Sequence, residues 1–150
     1  MWIKTVRLVN FGSFKDSGGI EFSKSINVLT GQNNAGKSLI LKSILQMQHP
    51  SVSVNDIRKG EENCEIKIKS EEFNYTHYPN INKVEGTAGP TMFIRTLHKN
   101  KGQTYSQTYR MNIPSIGERD AGLIPSTEPH NFIYPSDKLI SPTPSHRGLR

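Results

Sequence analysis

Apolar and polar residues alternate along the first segment of the chain, which is typical of a strand with one buried face. The segment spans residues 3–11, "IKTVRLVNF", and its inward positions are Ile3, Val6 and Leu8. Residues 12–19, "GSFKDSGG", have the composition of a turn. The short stretch "IEF" follows at 20–22, and we expect it to pair back on the first strand as a hairpin.

Two apolar stretches flank a glycine-containing loop. Residues 26–30, "INVLT", form an apolar run that ends at a glycine, which is the pattern of a strand buried on both faces. From Lys37 to Gln48 the apolar residues cover more than one helical face, which predicts a helix enclosed by protein. Pro50 ends this helix, because the residue before a proline is pushed towards extended geometry.

After Pro50 the sequence pattern becomes that of antiparallel β-strands. Strict alternation at 64–69, "CEIKIK", predicts a strand, and "EEFNYTHY" at 71–78 is expected to return beside it. The stretches "TMFIRTL" at 91–97 and "YSQTYRM" at 105–111 flank a hairpin turn. From residue 113 onward the chain is rich in proline, serine and threonine and has almost no periodicity, which predicts an irregular tail.

Size and composition favour a part of a larger protein. The chain has 150 residues, enough for one domain or for one lobe. Apolar residues make up only 33% of it, which favours an incomplete lobe. The net charge of +6 favours phosphate-bearing partners, either nucleotide or nucleic acid, although a solvated basic surface gives the same count.

Other function classes have little support in the sequence. Cys64 is the single cysteine, so we expect neither a disulfide framework nor a cysteine-rich metal site. The five histidines lie far apart, so we interpret none of them as a metal ligand. No stretch approaches the roughly 18 apolar residues that a membrane helix needs, so we expect a soluble, cytoplasmic protein without a membrane partner.

The loop between the two apolar stretches carries the chemistry. Gly31, Gly36, Lys37 and Ser38 spell G-x-x-x-x-G-K-S between a predicted strand and a predicted helix, which is the context of a phosphate-binding loop. Glycines let successive backbone N–H groups point at phosphate oxygens, and the first turn of the helix adds unpaired N–H groups and positive potential. In this motif Lys37 bridges the β- and γ-phosphates and the Ser38 hydroxyl binds Mg²⁺. A plain glycine turn is the alternative.

A strand, a turn and a second strand precede the loop, and this arrangement resembles the ATPase heads of the RecF, SMC and OLD families. The resemblance rests on the segments "IKTVRLVNFGSFKD", "IEFSKSINVLTGQNNAGKSLILKSIL" and "DIRKGEENCEIKIK". It implies an α/β fold: an incomplete P-loop NTPase lobe of an ABC-type ATPase head with an antiparallel β-rich subdomain. The lobe would span 1–112, divided into 1–49 and 52–112, with the tail at 113–150.

The resemblance also implies the ligands and the partners. Asn33 matches the residue that this family places near the β- and γ-phosphates, and Asn34 with Ala35 matches the variant loop of OLD-like and RecF-like members. The implied cofactors are ATP and Mg²⁺, with Ser38 as the metal ligand. In the full-length family the heads dimerise face to face and DNA is a partner. The expected nucleotide-binding residues are Gly31, Gln32, Asn33, Asn34, Ala35, Gly36, Lys37, Ser38 and Leu39.

The parts that hydrolyse ATP in this family are missing from the sequence. The nearest match to a strand ending in Asp-Glu is "NFIYPSD" at 131–137, which Pro135 interrupts. "SGG" at 17–19 spells part of the second head's signature, but it lies in a predicted tight turn. Gln103 and Gln107 match the Mg²⁺-sensing glutamine by position alone. The downstream nuclease domain of OLD proteins is absent, so the sequence predicts no catalytic residue and is consistent with a truncated or frameshifted product.

Two further features have competing interpretations. Phe14 and Lys15, at the tip of the first hairpin, either approach the nucleotide base or ribose or are simply solvated. The basic run "IRKGEENCEIKIK" either lies near DNA or presents its lysines to solvent on a strand.

The sequence therefore predicts an ATP-binding lobe of a RecF-like or OLD-like ATPase in a DNA repair or phage-defence machine, catalytically incomplete alone. One alternative is a non-productive fragment or interaction piece of a truncated gene. The other is a small nucleotide kinase, against which the two strands before the loop argue.

Overall fold

A computed structural model of the chain describes residues 1–47, 53–75, 88–101 and 105–121. The elements in this part are β1 (Trp2–Phe11), β2 (Phe14–Asp16), β3 (Ile20–Glu21), α1 (Lys37–Gln46), a 3₁₀ turn (Val54–Asp56), β4 (Asn63–Asn74), β5 (Ala88–Lys99), β6 (Tyr105–Ile113) and β7 (Gly117–Asp120). The strands form one antiparallel sheet in the order β2-β1-β4-β5-β6-β7, with β3 also paired to β1. The α-helix found in these residues has ten residues, which is too short to cross a membrane.

The first hairpin forms as predicted. Ile3, Val6 and Leu8 of β1 are buried, and β3 pairs antiparallel with β1 through Val6 and Ile20. A second short strand, β2, pairs with the far end of β1. Residues 17–19, "SGG", connect β2 to β3 along the same edge of β1 and have no regular secondary structure, so the tight-turn interpretation is wrong for them. The turn of the hairpin lies at residues 12–13.

An ion pair across this hairpin joins β1 to β2. Arg7 donates from Nε to Asp16 Oδ1 at 3.0 Å and from Nη2 to Oδ2 at 2.6 Å, and both side chains are about half exposed. The hydrogen bond from Arg7 and one from the Gly18 amide lower the pKa of Asp16 from its ordinary value of 3.8 to about 2. Asp16 therefore remains ionised in the folded chain at pH values where it is protonated in the unfolded chain.

This shift predicts a pH-dependent contribution to stability. Because the folded pKa is the lower one, the contribution is complete above about pH 4 and disappears as the pH falls towards 2. We expect Asp16→Asn to be less stable than the wild type at pH 7 and the difference to vanish between pH 4 and pH 2, measured by urea unfolding. Arg7→Gln should show the same convergence, and a difference that stays constant with pH would refute this role.

The central strands are longer than the sequence suggested. β4 pairs with β1 on one side and with β5 on the other, and β5 pairs with β6 from Met92–Asn112 to Lys99–Tyr105. The expectation that "EEFNYTHY" returns beside the preceding strand is wrong for residues 71–74, which continue β4, and residues 76–78 lie outside the described residues. Glu72 has a φ of 58°, so an irregularity lets the strand run on where alternation in the sequence breaks. β7 lies in the tail that the sequence predicted to be irregular from residue 113 onward, so this prediction is wrong for residues 117–120. Residues 122–150 of the predicted tail lie outside the described residues.

The predicted strand at 26–30 does not form. Its residues have no regular secondary structure, and Ile26 and Val28 are 87% and 76% exposed. A strand buried on both faces needs a hydrogen-bonding neighbour along its edges and side chains above and below it. Within the described residues no strand pairs with this segment, and every strand pair is antiparallel. The α/β class is therefore met only in part, because the described chain is mainly antiparallel β with one α-helix.

Helix α1 packs on the sheet through one face. Ile40, Ile44 and Met47 are buried, whereas Leu39, Leu41 and Leu45 are only partly buried. The predicted enclosure of the whole helix is thus wrong for this part of the chain, because the sheet covers one face and leaves the opposite face partly open. The main sheet residues of the same core are Val6, Leu8, Phe11, Cys64, Ile66, Ile68, Phe73, Phe93, Leu97 and Met111.

Candidate nucleotide-binding site

Residues 31–35 form an open, exposed turn before α1, and Gly36, at the end of the loop, is buried. Gly31, Asn34 and Gly36 have φ values of 147°, 67° and 89°, a region that favours glycine and that asparagine enters more readily than most residues. The Ala35 amide donates to the Gln32 carbonyl at 3.2 Å and closes the turn. These conformations explain the two glycines and the asparagine of the motif by backbone geometry.

Lys37 lies across this loop. Its Nζ donates to the carbonyl oxygens of Gly31 at 2.7 Å and Gln32 at 2.6 Å, so the ammonium group fixes the beginning of the loop relative to the helix. An ammonium group has three donors, so a third hydrogen bond is available for an anion while the first two hold the loop. Lys37 can therefore shape the cradle and bind a phosphate oxygen at once.

The start of α1 carries no compensating negative charge of its own. Gly36 is the N-cap and supplies no side-chain cap, and the first turn has no acidic residue. The Leu39 and Ile40 amides both donate to the Gly36 carbonyl, at 3.0 and 3.1 Å. The earlier amides of the first turn and the positive end of the helix dipole are thus left for a ligand, which makes the site suited to an anion.

The first hairpin packs directly against this loop. A Cβ atom on Gly36 would lie 2.5 Å from Phe14 Cζ, and one on Gly12 would lie 2.7 Å from Leu39 Cδ1. Phe14 is therefore partly buried against the loop backbone rather than solvated, while Lys15 is exposed. The second glycine of the motif is required for two reasons: its positive φ and the aromatic ring beside it.

The metal ligand and the other candidates can be placed in part. Ser38 is exposed at the start of α1, where its hydroxyl can offer one ligand to Mg²⁺. Within the described residues no group of three or more His, Cys, Asp or Glu side chains is arranged to hold a metal. Gln107 accepts hydrogen bonds from Arg95 and Tyr109, so its carbonyl oxygen is already engaged. Gln103 and the "NFIYPSD" segment lie outside the described residues.

The sequence did not predict a role for Asp56, which lies beneath α1 and is only 4% exposed. Its carboxylate accepts hydrogen bonds from Lys42, from Gln46 at 2.7 Å and from the Ser53 amide at 3.0 Å. The only signal for it in the sequence is the spacing of Ser53 and Asp56, S-x-x-D, which marks the start of the 3₁₀ turn as a capping box.

Comparison of the sequence with known proteins identifies its family. A family model described as "AAA ATPase domain" matches residues 1–88, more than half of the chain. The DNA double-strand break repair Rad50 ATPase of Sulfolobus acidocaldarius is 38% identical over 77 residues, which cover 47% of this chain and 9% of that protein.

Two further relatives match shorter stretches. An ATP/GTP phosphatase of Helicobacter pylori is 41% identical over 59 residues, covering 37% of this chain and 16% of that protein. The DNA replication and repair protein RecF of Clostridium kluyveri is 46% identical over 44 residues, covering 29% of this chain and 12% of that protein. Each match thus spans less than a fifth of the relative's length.

Proposed function

The chain belongs to the AAA ATPase domain family, as a part of an ATPase head of the RecF/SMC-like kind, and from this premise we propose that it binds ATP with Mg²⁺ at residues 31–39. The observation that carries the proposal is the bridge from Lys37 to the carbonyls of Gly31 and Gln32. This bridge places a positive charge within an exposed loop at an uncapped helix start.

Each loop residue has a separate task in this proposal. The amides of the loop and of the first turn bind phosphate oxygens, and Lys37 binds the β- and γ-phosphates. Asn33 lies near the same phosphates, as in the resembling families. Ser38 supplies a hydroxyl ligand to Mg²⁺, which neutralises phosphate charge when it is bound.

We further propose that this chain holds ATP without hydrolysing it, and that a complete site needs a second head and residues that the described part does not contain. Asp56 is buried and its carboxylate is engaged by Lys42, Gln46 and Ser53, so it is not directed at the loop as a catalytic acid. Measurement of ATP binding at equilibrium tests the proposed nucleotide site. Lys37→Ala is the variant that should lose ATP binding. Binding that does not depend on Lys37 would overturn the proposal.

A DNA partner, in a cytoplasmic repair or phage-defence machine, is the second part of the proposal, and a basic cleft supports it. The cleft measures about 600 Å³ and is lined by Arg58, Lys59 and Lys99, with Glu61 as its one acidic residue. Within the described residues neither Lys59 nor Lys99 forms an ion pair, whereas Lys4 and Lys67 pair with Glu71 and Glu65. Unpaired cations in a concave surface favour a phosphate backbone.

The cleft predicts a charge-specific loss of DNA binding. We expect Lys59→Gln with Lys99→Gln to weaken binding of a DNA duplex and to lower the slope of log K against log salt by about 2, since each phosphate contact contributes roughly 0.9. A charge-matched control, Lys4→Gln with Lys67→Gln, removes two lysines that pair with Glu71 and Glu65. An equal loss in both variants, measured by fluorescence anisotropy, would show that only net charge matters.

An interaction piece without nucleotide binding is the second candidate function. Ile26 and Val28 favour it, because two large apolar side chains are exposed on the segment leading into the loop. This candidate predicts no Lys37-dependent ATP binding, so the same titration separates the two.

A further inference from the structure

Asp56 ties α1 to the rest of the fold through its side chain. Its Oδ1 accepts from Lys42 Nζ, and its Oδ2 accepts from Gln46 Nε2 at 2.7 Å and from the Ser53 amide at 3.0 Å. Lys42 and Gln46 are four residues apart and so lie on the same helix face. One buried carboxylate thus holds the second half of the helix at two points.

The backbone of the same residue binds the first hairpin. The Gly12 amide donates to the Asp56 carbonyl at 2.8 Å. Gly12 approaches Leu39 in the first turn of α1, and Phe14, two residues further on, lies against Gly36. Asp56 therefore joins the helix to the hairpin turn that supports the loop.

The carboxylate is charged and fully committed to these contacts. Burial raises the pKa of Asp56, but the hydrogen bonds from Lys42, Ser53 and Gln46 outweigh this effect and leave the pKa below its ordinary value. Both oxygens point at donors from the helix and the 3₁₀ turn, so neither faces the loop. Asp56 thus has the contacts of a residue that orients another element, and none to the loop.

We propose that Asp56 is a positioning residue for the nucleotide-binding loop, an inference that rests on the proposed ATP binding. The amides that face the phosphates belong to the first turn of α1, so their direction follows the orientation of the helix. Asp56 fixes that orientation from the other end of the helix, in concert with Gly12. A displacement of about 1 Å in such a site can reduce activity by about a hundredfold, so a small rotation of α1 matters.

Asp56→Asn tests the proposal because it keeps the volume and removes the charge. We expect the ATP dissociation constant to rise at least about tenfold, equivalent to about 1.4 kcal/mol. The expected cause is loss of the Lys42 pair and conversion of one acceptor into a donor. Lys42→Met leaves the carboxylate and its other bonds in place, and we expect it to give a smaller rise in the same direction. If Asp56→Asn does not fold, the ATP dissociation constant of Lys42→Met tests the proposal instead.

A matched control separates positioning from general destabilisation. Ile113→Ala removes a buried side chain at the end of β6 and lowers stability without touching α1 contacts of Asp56. We expect Ile113→Ala to leave the ATP dissociation constant within about twofold of the wild-type value, because this variant lowers stability but keeps the contacts that orient α1. An equal weakening by Ile113→Ala and by the Asp56 or Lys42 variants would overturn the proposal.

Hydrogen exchange tests the same claim without nucleotide. In the ligand-free variants of Asp56 and Lys42 we expect the amides from Leu39 to Leu45 to exchange faster than in the wild type, while the amides of β4 and β5 change no more than in Ile113→Ala. If the wild type binds no ATP, the proposed function fails but exchange still decides the role of Asp56. Unchanged exchange in α1 would refute that role even if ATP binds.

Discussion

Replacing Gly36 by alanine is expected to lower the free energy of unfolding by about 2–5 kcal/mol and to abolish ATP binding. Two costs add at this position. Gly36 has a φ of 89°, where a residue with a Cβ is strained by about 1–2 kcal/mol. The new Cβ would also lie 2.5 Å from Phe14 Cζ, and such overpacking costs about 1–3 kcal/mol. Relief of this contact moves the start of α1 and hence the amides that bind phosphate.

Gly60 is a matched control for the backbone cost. Its φ of 92° is nearly that of Gly36, but a Cβ there would meet no atom within 4 Å. Gly60→Ala should therefore cost only about 1–2 kcal/mol in urea unfolding and leave ATP binding intact. Gly36→Ala should lower the free energy of unfolding less in a Phe14→Ala background than in the presence of the Phe14 ring. Equal effects of Gly36→Ala and Gly60→Ala would contradict the contact with Phe14.

Local chemistry explains which features the sequence predicts correctly. The motif from Gly31 to Ser38 depends on neighbouring residues alone, and the structure gives it the expected loop followed by a helix. The strands β1, β4, β5 and β6 follow from alternation, because one face of each is buried in the same core. The family match over residues 1–88 supports the interpretation of this part of the chain as an ATPase domain.

Features that depend on distant partners could not be predicted. Hydropathy identifies residues 26–30 as apolar, but whether they form a strand depends on neighbours that the described residues do not provide. The continuation of β4 past Ser70 depends on a local irregularity at Glu72, which has no pattern in the sequence. The position of Asp56 depends on Lys42 and Gln46, which lie 14 and 10 residues away along the chain.

The second large effect is expected at Lys37. Its ammonium group bonds to the carbonyls of Gly31 and Gln32 and, in the proposed complex, to phosphate. Hydrogen bonds to charged groups contribute roughly 1.5–3 kcal/mol each, so loss of the bond to phosphate in Lys37→Ala should raise the ATP dissociation constant about ten- to a hundredfold. The fold should survive, because the side chain is only half-buried and its bonds lie within the exposed loop.

Calorimetric titration of ATP with Mg²⁺ into the wild type, Lys37→Ala and Lys69→Ala tests the nucleotide site most directly. Lys69→Ala removes the same charge from the outer face of β4, away from the loop. The expected result is saturable binding with one site per chain in the wild type and in Lys69→Ala, and weak or undetectable binding in Lys37→Ala. Absence of saturable binding in the wild type, or equal affinity in Lys37→Ala, would contradict the assignment of residues 31–39 as an ATP site.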